Sequence, residues 1–540
     1  MKEESTYLSL AEGRLQDLTG KALKLVVVNY ASRLLGLVRT MVLAAVFGAS
    51  MQIDVFYGIF GAVLVFFEII PQAFSQAFVP VYTRFVTEKR WRELGDISVS
   101  YSFSGAFILL ALFIGLSYFA EPIVVRIYVF GDAGKDLVNF GILLFRYSLL
   151  IMLINYFVGN FSAILYAKDI VVAPSAVNLL RNIIIIGAII LWQKGLGVIS
   201  IALGFTLGGV VQMFYLAWMA IHSGWRVSWP RVFPYATICY MWRLFLPAFV
   251  GLAVAQMNII IDRYFASALH QEGNVTILSY ANILIGMITV FTISLTTAIF
   301  PKFSHQVSHS EIDELKDMLN RALRALFFFV FPIMVLVYLS SSPLVSVVYQ
   351  WGELSRNPES INVLLSLFRI FCLWVIFYSV NYQLLLVFFS FRDTVTPLLV
   401  SAFNVGCNAF FDWFFTQVFH FGVQGIVYST TLSVFISTVV LIFLLYPRIG
   451  HVFDMRILKG FTRTCAASVP LVIVVLIFNL VTHAGIINHT EGHKAADAAY
   501  LLAVTFFGLT AYGWASLAVN RDLTLYFFKN WRSFLGLSKW

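Results

Sequence analysis

Residues 31–48 read ASRLLGLVRTMVLAAVFG and belong to an apolar run that begins near Leu25. Two arginines, Arg33 and Arg39, interrupt this run. An arginine at the centre of a bilayer costs at least about 2.5 kcal/mol, so a segment that only anchored the chain would not carry two. We therefore expect a membrane-spanning helix whose two charges have a function.

The composition extends this expectation to the whole chain. Of its 540 residues, 60% are hydrophobic and 12% are charged, and the mean hydropathy is +0.86. These values exclude a soluble protein of this size and predict an all-α polytopic membrane protein. Because a spanning helix needs about 20 apolar residues, the sequence predicts fourteen spans, at 25–47, 55–82, 99–121, 138–166, 172–193, 198–221, 237–266, 276–300, 323–348, 360–390, 396–417, 423–446, 461–482 and 497–519.

The basic residues orient these spans. With the N-terminus inside, the inner segments and the inner ends of spans 9 and 13 hold 24 lysines and arginines, and the outer loops hold 5. This bias predicts that both termini are cytoplasmic. The N-terminal segment, residues 1–24, lacks the pattern of a signal peptide. The segment 521–540 is too short and too charged to span the membrane. Its sequence predicts either an amphipathic helix on the inner membrane surface or a disordered tail.

Similar motifs recur in the two halves of the chain. AFVPVY (77–82) corresponds to AIFPKF (298–303), KDIVVAP (168–174) to RDTVTP (392–397), and GVISIALGFTL (197–207) to GVQGIVYSTTL (422–432). The offsets lie between 221 and 225 and each covers six spans. The sequence therefore predicts two parallel six-helix lobes, 25–222 and 223–447, followed by an extra pair of helices in 448–520. Parallel repeats are typical of carriers that work by alternating access.

The arginines of the first span indicate an anion site. Arg33 and Arg39 lie about 9 Å apart along a helix, and Ser32 and Gly36 leave room beside them. The planar guanidinium suits phosphate and carboxylate groups. The alternatives are ion pairs within the membrane or side chains that extend to the surface.

Two acids in the next span are candidate partners or site residues. Asp54 follows a short outer turn, where it could serve as a gate residue, an arginine partner or a solvated acid at a helix start. Glu68 lies deeper, beside Pro71, and is either a cavity group or the partner of an intramembrane arginine.

The second lobe carries a possible cation site. Asp262 and Arg263 are adjacent in span 7, Asn408 and Asp412 share one face of span 11, and Thr430 lies in span 12. Carboxylate, amide and hydroxyl oxygens would suit a hard cation such as Na⁺. The sequence has no Walker motif and no nucleophile–base pattern, so we expect neither ATP hydrolysis nor other enzyme activity.

Several stretches resemble the MurJ (MviN) lipid II flippase family, within the multidrug/oligosaccharidyl-lipid/polysaccharide exporter superfamily. The resemblance rests on SRLLGLVRTMVLAAVFGASMQIDVF (32–56), AFSQAFVPVY (73–82), NIIIDRYFAS (258–267), VYQWGELS (348–355), RDTVTP and NVGCNAFFDW (404–413).

The resemblance implies that lipid II, an undecaprenyl-diphosphate glycan, moves between the leaflets of the bacterial inner membrane. It implies that Arg33 and Arg39 bind the headgroup, that Asp54 acts near the outer mouth, and that spans 13 and 14 form a groove for the lipid tail. It further implies that Na⁺ is held by four residues, Asp262, Asn408, Asp412 and Thr430.

The sequence also departs from the family pattern. Thr40 replaces the usual acid after the second arginine, span 2 carries Glu68 in place of basic residues, and Ile283 replaces an arginine in span 8. The intramembrane candidates to replace the missing charges are Arg146, Arg263 and Arg369.

The functional prediction is therefore a lipid II flippase that works by alternating access and is driven by the membrane potential, Na⁺ or both. The expected partners are lipid II, membrane lipids and cell-wall synthesis proteins, with no nucleic acid, and the expected state is a monomer. The alternative is a flippase for another undecaprenyl-diphosphate glycan, such as an O-antigen, capsule or exopolysaccharide unit. A drug or cation antiporter fits less well because Arg33 and Arg39 would repel cations.

Overall fold

Fourteen long apolar helices account for most of the computed structural model of the chain. The structure describes residues 24, 27–127, 135–228, 233–297, 299–452, 454–483, 494–521 and 524–525, and these contain no strand. The prediction for the N-terminal segment 1–24, and most of that for the tail 521–540, lies outside the described residues. Helices satisfy every backbone hydrogen bond within the segment, as a membrane requires.

The described residues contain fourteen helices long and apolar enough to cross a membrane, which confirms the predicted number of spans. They are α1 Val27–Phe47, α2 Met51–Thr87, α3 Trp91–Tyr118, α4 Lys135–Ala167, α5 Val172–Leu196, α6 Ile199–His222, α7 Tyr235–Ala268, α8 Asn274–Ser308, α9 Ile312–Leu339, α10 Pro358–Ser390, α11 Val395–Val418, α12 Val423–Ile449, α13 Met455–Val481 and α14 Lys494–Val519. Residue 298 of α8 is not described.

Some helix bounds differ from the predicted spans. α9 begins at Ile312 rather than near residue 323, because the polar first turns IDELKDMLN continue the same helix beyond the apolar core. It ends at Leu339, and Ser341–Tyr349 forms a separate short helix. Two further short helices, Ala120–Ile127 and Gly352–Ser355, lie between the long ones.

α2 is irregular in its outer half. Met51–Val55 is α-helical, Phe56–Gly61 is a π-helix, and the helix is interrupted at Ile69, directly after Glu68. Pro71 contributes to this interruption because it lacks the backbone N–H that a continuous helix would use. π-helical turns are rare and occur frequently at functional sites.

The turns between helices repeat in the two halves. Five residues with left-handed backbone recur in order at offsets of 221 to 226, as the pairs Gly48 and His270, Lys89 and Ser310, Asp169 and Arg392, Gly197 and Gly422, and Gly224 and Gly450. A left-handed conformation is uncommon for residues other than glycine. Its recurrence at corresponding helix ends supports the parallel repeat inferred from the sequence motifs.

By packing, the chain divides into two compact units, Met1–Val275 and Thr276–Trp540. The first unit contains α1 to α7, so α7 packs with the helices that precede it. The lobe boundaries 25–222 and 223–447 describe the sequence repeat and stay a prediction. Repeat units and packing units need not coincide.

The first unit has an aromatic core between α2, α3, α4 and α7. Phe74, Phe78, Tyr101, Tyr156 and Phe245 form edge-to-face and stacked pairs there. Such pairs contribute about 0.5–1.5 kcal/mol each beyond the area they bury. The core holds α2 in place against its neighbours.

The second unit joins the last two helices to α9. Phe328 of α9, Leu471 of α13 and Val504 and Tyr512 of α14 belong to one buried cluster. The Tyr512 hydroxyl donates to the backbone carbonyl of Phe328 over 2.7 Å. The extra pair of helices is therefore packed against α9 within the second unit.

Candidate functional site

Residues of α5 and α6 hold the side chain of Arg39 in place. Its Nη1 donates to Oδ1 of Asn182 over 3.0 Å, and its guanidinium lies 5.0 Å from the ring centre of Phe205. The Asn182 amide in turn donates to the backbone carbonyl of Ser32 over 3.3 Å. The Nε of Arg39 is buried and has no hydrogen-bond partner among the described residues. The arginine is thus oriented by its neighbours and keeps one buried donor available.

Glu68 pairs with Arg181 of α5. Nη2 of Arg181 lies 3.0 Å from Oε1 of Glu68, and the side chains are 17% and 42% exposed, respectively. The Nε of Arg181 is also buried without a partner in the described part of the chain. Both residues are close enough to Arg39 to act on its charge. Of the two roles predicted for Glu68, the structure shows the pairing with an arginine.

Arg263 lies against the π-helical part of α2. A Cβ added to Gly61 would lie 3.1 Å from Nη1 of Arg263, so the glycine makes room for this guanidinium. Tyr57, on the same π-helix, is within electrostatic reach of both Arg39 and Arg263. Arg263, one candidate for the missing family charges, therefore lies beside Gly61 and near Tyr57.

Asp54 connects α2 to the turn between α7 and α8. It is 3% exposed, and its Oδ2 accepts the backbone N–H of Gly273 over 2.6 Å. The backbone N–H of Met51 donates to Oε1 of Glu272 over 2.9 Å. Two hydrogen bonds therefore join the predicted outer end of α2 to this turn. Asp54 is not a solvated acid.

The face of α1 that carries Arg33 is open. Arg33 is exposed, and a Cβ added to Gly36 would have no heavy atom within 4 Å. Thr40, which replaces the usual family acid, is buried and donates to the carbonyl of Gly36 over 3.0 Å. The open face leaves space for a ligand beside Arg33.

Two candidate cation ligands meet in the second unit. Asn408 and Asp412 are fully buried, and the Asn408 amide donates to Oδ2 of Asp412 over 3.0 Å. Ser433 donates to Oδ1 of Asn408 over 3.2 Å, and Thr430 donates to the carbonyl of Ile426 on its own helix. Carboxylate, amide and hydroxyl oxygens of this kind fit a hard cation such as Na⁺.

Three other predicted residues lie on α7, α10 and α4. Asp262 belongs to the first unit and is 4% exposed. Arg369 donates to the hydroxyl of Ser341 over 2.8 Å, and Arg146 is exposed on α4. The described residues contain no group of three or more His, Cys, Asp or Glu that could hold a metal ion.

Sequence reasoning gave no role to Arg181 or Asn182, the two residues of α5 that meet Glu68 and Arg39. A signal was present in LLRNIIII (179–186), where two polar residues interrupt an apolar helix. Without the structure, however, nothing indicated which arginine of the predicted spans faces Glu68.

Comparison with known proteins identifies relatives over most of the chain. A family model described as lipid II flippase MurJ matches residues 43–491. Two relatives named as probable lipid II flippase MurJ come from Buchnera aphidicola subsp. Schizaphis graminum and Vibrio cholerae serotype O1. The first is 24% identical and the match covers 78% of this chain and 82% of the relative. The second is 25% identical, with 76% and 79% covered.

Solved structures show the same fold. A lipid II flippase MurJ in an inward closed conformation matches with a TM-score of 0.76 and 21% identity, over 92% of this chain and 99% of that one. An inward-facing multidrug resistance transporter of the MATE family matches with a TM-score of 0.59 and 15% identity, over 81% and 95%. The fourteen-helix architecture predicted from the sequence is confirmed.

Proposed function

Because the chain belongs to the lipid II flippase MurJ family, we propose that it carries lipid II from the inner to the outer leaflet of the bacterial inner membrane. One observation of the site carries this proposal. Arg39 is fixed among membrane helices with a buried donor available, and Arg181 lies near enough to act on its charge. Arg39, Arg181 and Glu68 form a cluster of two arginines and one glutamate, which together carry a net positive charge.

The charge of the cluster fits the main barrier to flipping. A diphosphate loses its hydration when it enters a bilayer, and fixed guanidinium donors replace the lost water. The polyprenyl tail can stay in lipid throughout. Alternating access then presents the headgroup first to one side and then to the other. The membrane potential can drive this cycle, since one charge crossing 100 mV corresponds to about 2.3 kcal/mol.

The surface of α14 suits the lipid tail. An open groove of about 800 Å³ is lined by residues of this helix, including Leu502, Phe506 and Trp514, which are all largely exposed. Exposed apolar side chains on a spanning helix are compatible with a long hydrocarbon chain. We propose that α13 and α14 guide the undecaprenyl tail, as the sequence resemblance implies.

Substrate choice is tested by flipping in proteoliposomes. Purified protein is reconstituted with fluorescent lipid II, and an O-antigen-type undecaprenyl-diphosphate glycan is added as competitor. We expect transport of lipid II with little competition at equal concentration. Preferential transport of the competitor would instead support the alternative glycan flippase. A cationic drug serves as a further competitor and should have no effect.

The coupling ion is a separate part of the proposal. Asn408, Asp412 and Thr430 would hold Na⁺, and the ion would supply positive charge beside the buried carboxylate of Asp412. Replacing Asp412 with asparagine removes a fully buried carboxylate. We expect wild-type protein to melt at a higher temperature in Na⁺ than in K⁺, because a ligand that binds the folded state stabilises it. Asp412→Asn should lose this difference.

Asp136→Asn is the matched control for the Na⁺ experiment. Asp136 is an exposed acid in the first turn of α4. Its variant should keep the Na⁺-dependent rise in melting temperature. A rise that persists in Asp412→Asn would contradict a Na⁺ site at this residue.

Topology and assembly complete the proposal. Both termini lie in the cytoplasm, since the basic residues concentrate in the segments on that side. The protein acts as a monomer alongside cell-wall synthesis proteins.

A further inference from the structure

We propose that Arg181 is a second diphosphate-binding residue and that Glu68 is the internal anion that occupies it until the substrate arrives. This inference rests on the proposed lipid II transport. It concerns a residue of α5 that the family pattern does not assign, in a chain that lacks basic residues in the middle of α2.

The position of Arg181 is fixed by close packing with α6. A Cβ added to Gly208 would lie 3.0 Å from Cγ of Arg181 and 3.2 Å from its backbone oxygen. The next residue, Asn182, is the one that orients Arg39. Consecutive residues of one helix therefore support the two guanidinium groups, and both groups lie in the same part of the first unit.

The unused donors of the two arginines point to a further anion. Nε of Arg39 and Nε of Arg181 are both buried, and neither has a hydrogen-bond partner among the described residues. A buried N–H without an acceptor is costly, and the cost is greater for a charged group. Glu68 satisfies only one nitrogen of Arg181. A diphosphate has enough oxygens to accept from both arginines at once, with one phosphate at each.

Glu68 is suited to exchange with such a ligand. Its side chain is 42% exposed, so a carboxylate released from Arg181 can become hydrated. In the absence of substrate, the Glu68 carboxylate offsets the repulsion between Arg181 and Arg39, whose charges are within reach of each other. The pair thus keeps the empty cluster stable and competes with the substrate for Arg181.

The test measures equilibrium binding of lipid II to the purified full-length chain. Glu68→Gln removes the competing charge and should tighten binding about three- to tenfold. Arg181→Gln removes a charged donor and should weaken it about ten- to hundredfold. The double variant should bind like Arg181→Gln alone, because Glu68 acts only through Arg181.

A selectivity measurement separates ligand contact from a structural role. Undecaprenyl diphosphate and undecaprenyl monophosphate are compared as probes. Wild-type protein should prefer the diphosphate, and Arg181→Gln should lose most of this preference. If the ion pair had only a structural role, Arg181→Gln would lower the melting temperature and weaken the binding of both probes equally. That result would overturn the inference. Equal binding of lipid II by wild type and Arg181→Gln would also overturn it.

Two controls keep the experiment decisive. Arg243→Gln removes an exposed arginine of α7 and should bind as wild type does. If Arg181→Gln does not fold, Arg181→Lys preserves the charge without the planar fork, and it should bind less tightly at an unchanged melting temperature. Wild-type affinity in Arg181→Lys would overturn the inference. Wild-type protein that fails to bind lipid II would instead overturn the proposed function, and this inference with it.

Discussion

Replacing Arg39 with alanine is expected to reduce lipid II transport by at least about 100-fold and to abolish complementation of a flippase-depleted strain. The substitution removes the guanidinium that Asn182 and Phe205 hold in place. A hydrogen bond to a charged group contributes about 1.5–3 kcal/mol, and each 1.4 kcal/mol is a factor of ten, so two lost phosphate contacts account for the effect.

The amount of protein in the membrane must be measured beside the activity. The Asn182 amide is 6% exposed and would lose its donor in Arg39→Ala, so some loss of stability is expected. Arg33→Ala avoids this complication because Arg33 is exposed. It should also impair transport, at an unchanged melting temperature. Full complementation by both alanine variants would show that these arginines do not bind the headgroup.

The second large effect is expected when the turn at Gly273 is locked to the start of α2. We propose that the hydrogen bond from Gly273 to Asp54 closes the outer mouth and must open in each cycle. The neighbouring Met51 and Glu272 also touch, through a hydrogen bond of 2.9 Å. In a cysteine-free background, a disulfide between Met51→Cys and Glu272→Cys should stop lipid II flipping almost completely, and a reducing agent should restore it.

Each single-cysteine variant is the control for the disulfide and should transport under oxidising and reducing conditions alike. The background replaces four native cysteines, Cys239, Cys372, Cys407 and Cys465, all of which are free thiols. Asp54→Ala complements the experiment, since it leaves the N–H of Gly273 without this acceptor at a cost of about 1–3 kcal/mol. If the oxidised double-cysteine protein flipped lipid II at an undiminished rate, the contact between α2 and the turn at Gly273 would not need to open during transport.

The fold was predictable because its signal is spread over the whole chain. Each spanning helix needs about 20 apolar residues, and that requirement holds regardless of its neighbours. α1, predicted at 25–47, is helical over the described residues Val27–Phe47 and ends at Phe47. The repeat could also be predicted from the sequence, since corresponding turns such as those at Gly197 and Gly422 need the same backbone conformation in both halves.

The arrangement of charges within the site was less predictable. The sequence identified Arg39 and Glu68 as site candidates and suggested an intramembrane arginine as partner for Glu68, but it did not identify Arg181 as that arginine or Asn182 as the partner of Arg39. Helix spacing relates residues on one helix only, whereas the pairing of Glu68 with Arg181 depends on how α2 packs beside α5. The same limit applies to Asp54, whose acceptor role depends on a backbone N–H 219 positions away.

The π-helical turn of α2 has one more consequence. Phe56–Gly61 lies between Asp54, which meets Gly273, and Glu68, which meets Arg181. A π turn contains about one residue more than an α turn, and one residue of an α-helix corresponds to a rotation of about 100°. Deleting a single residue there would give a regular helix in which the two acids no longer face their partners together. The number of residues between Asp54 and Glu68 therefore sets the directions in which the two acids face, whichever side chains form the turn.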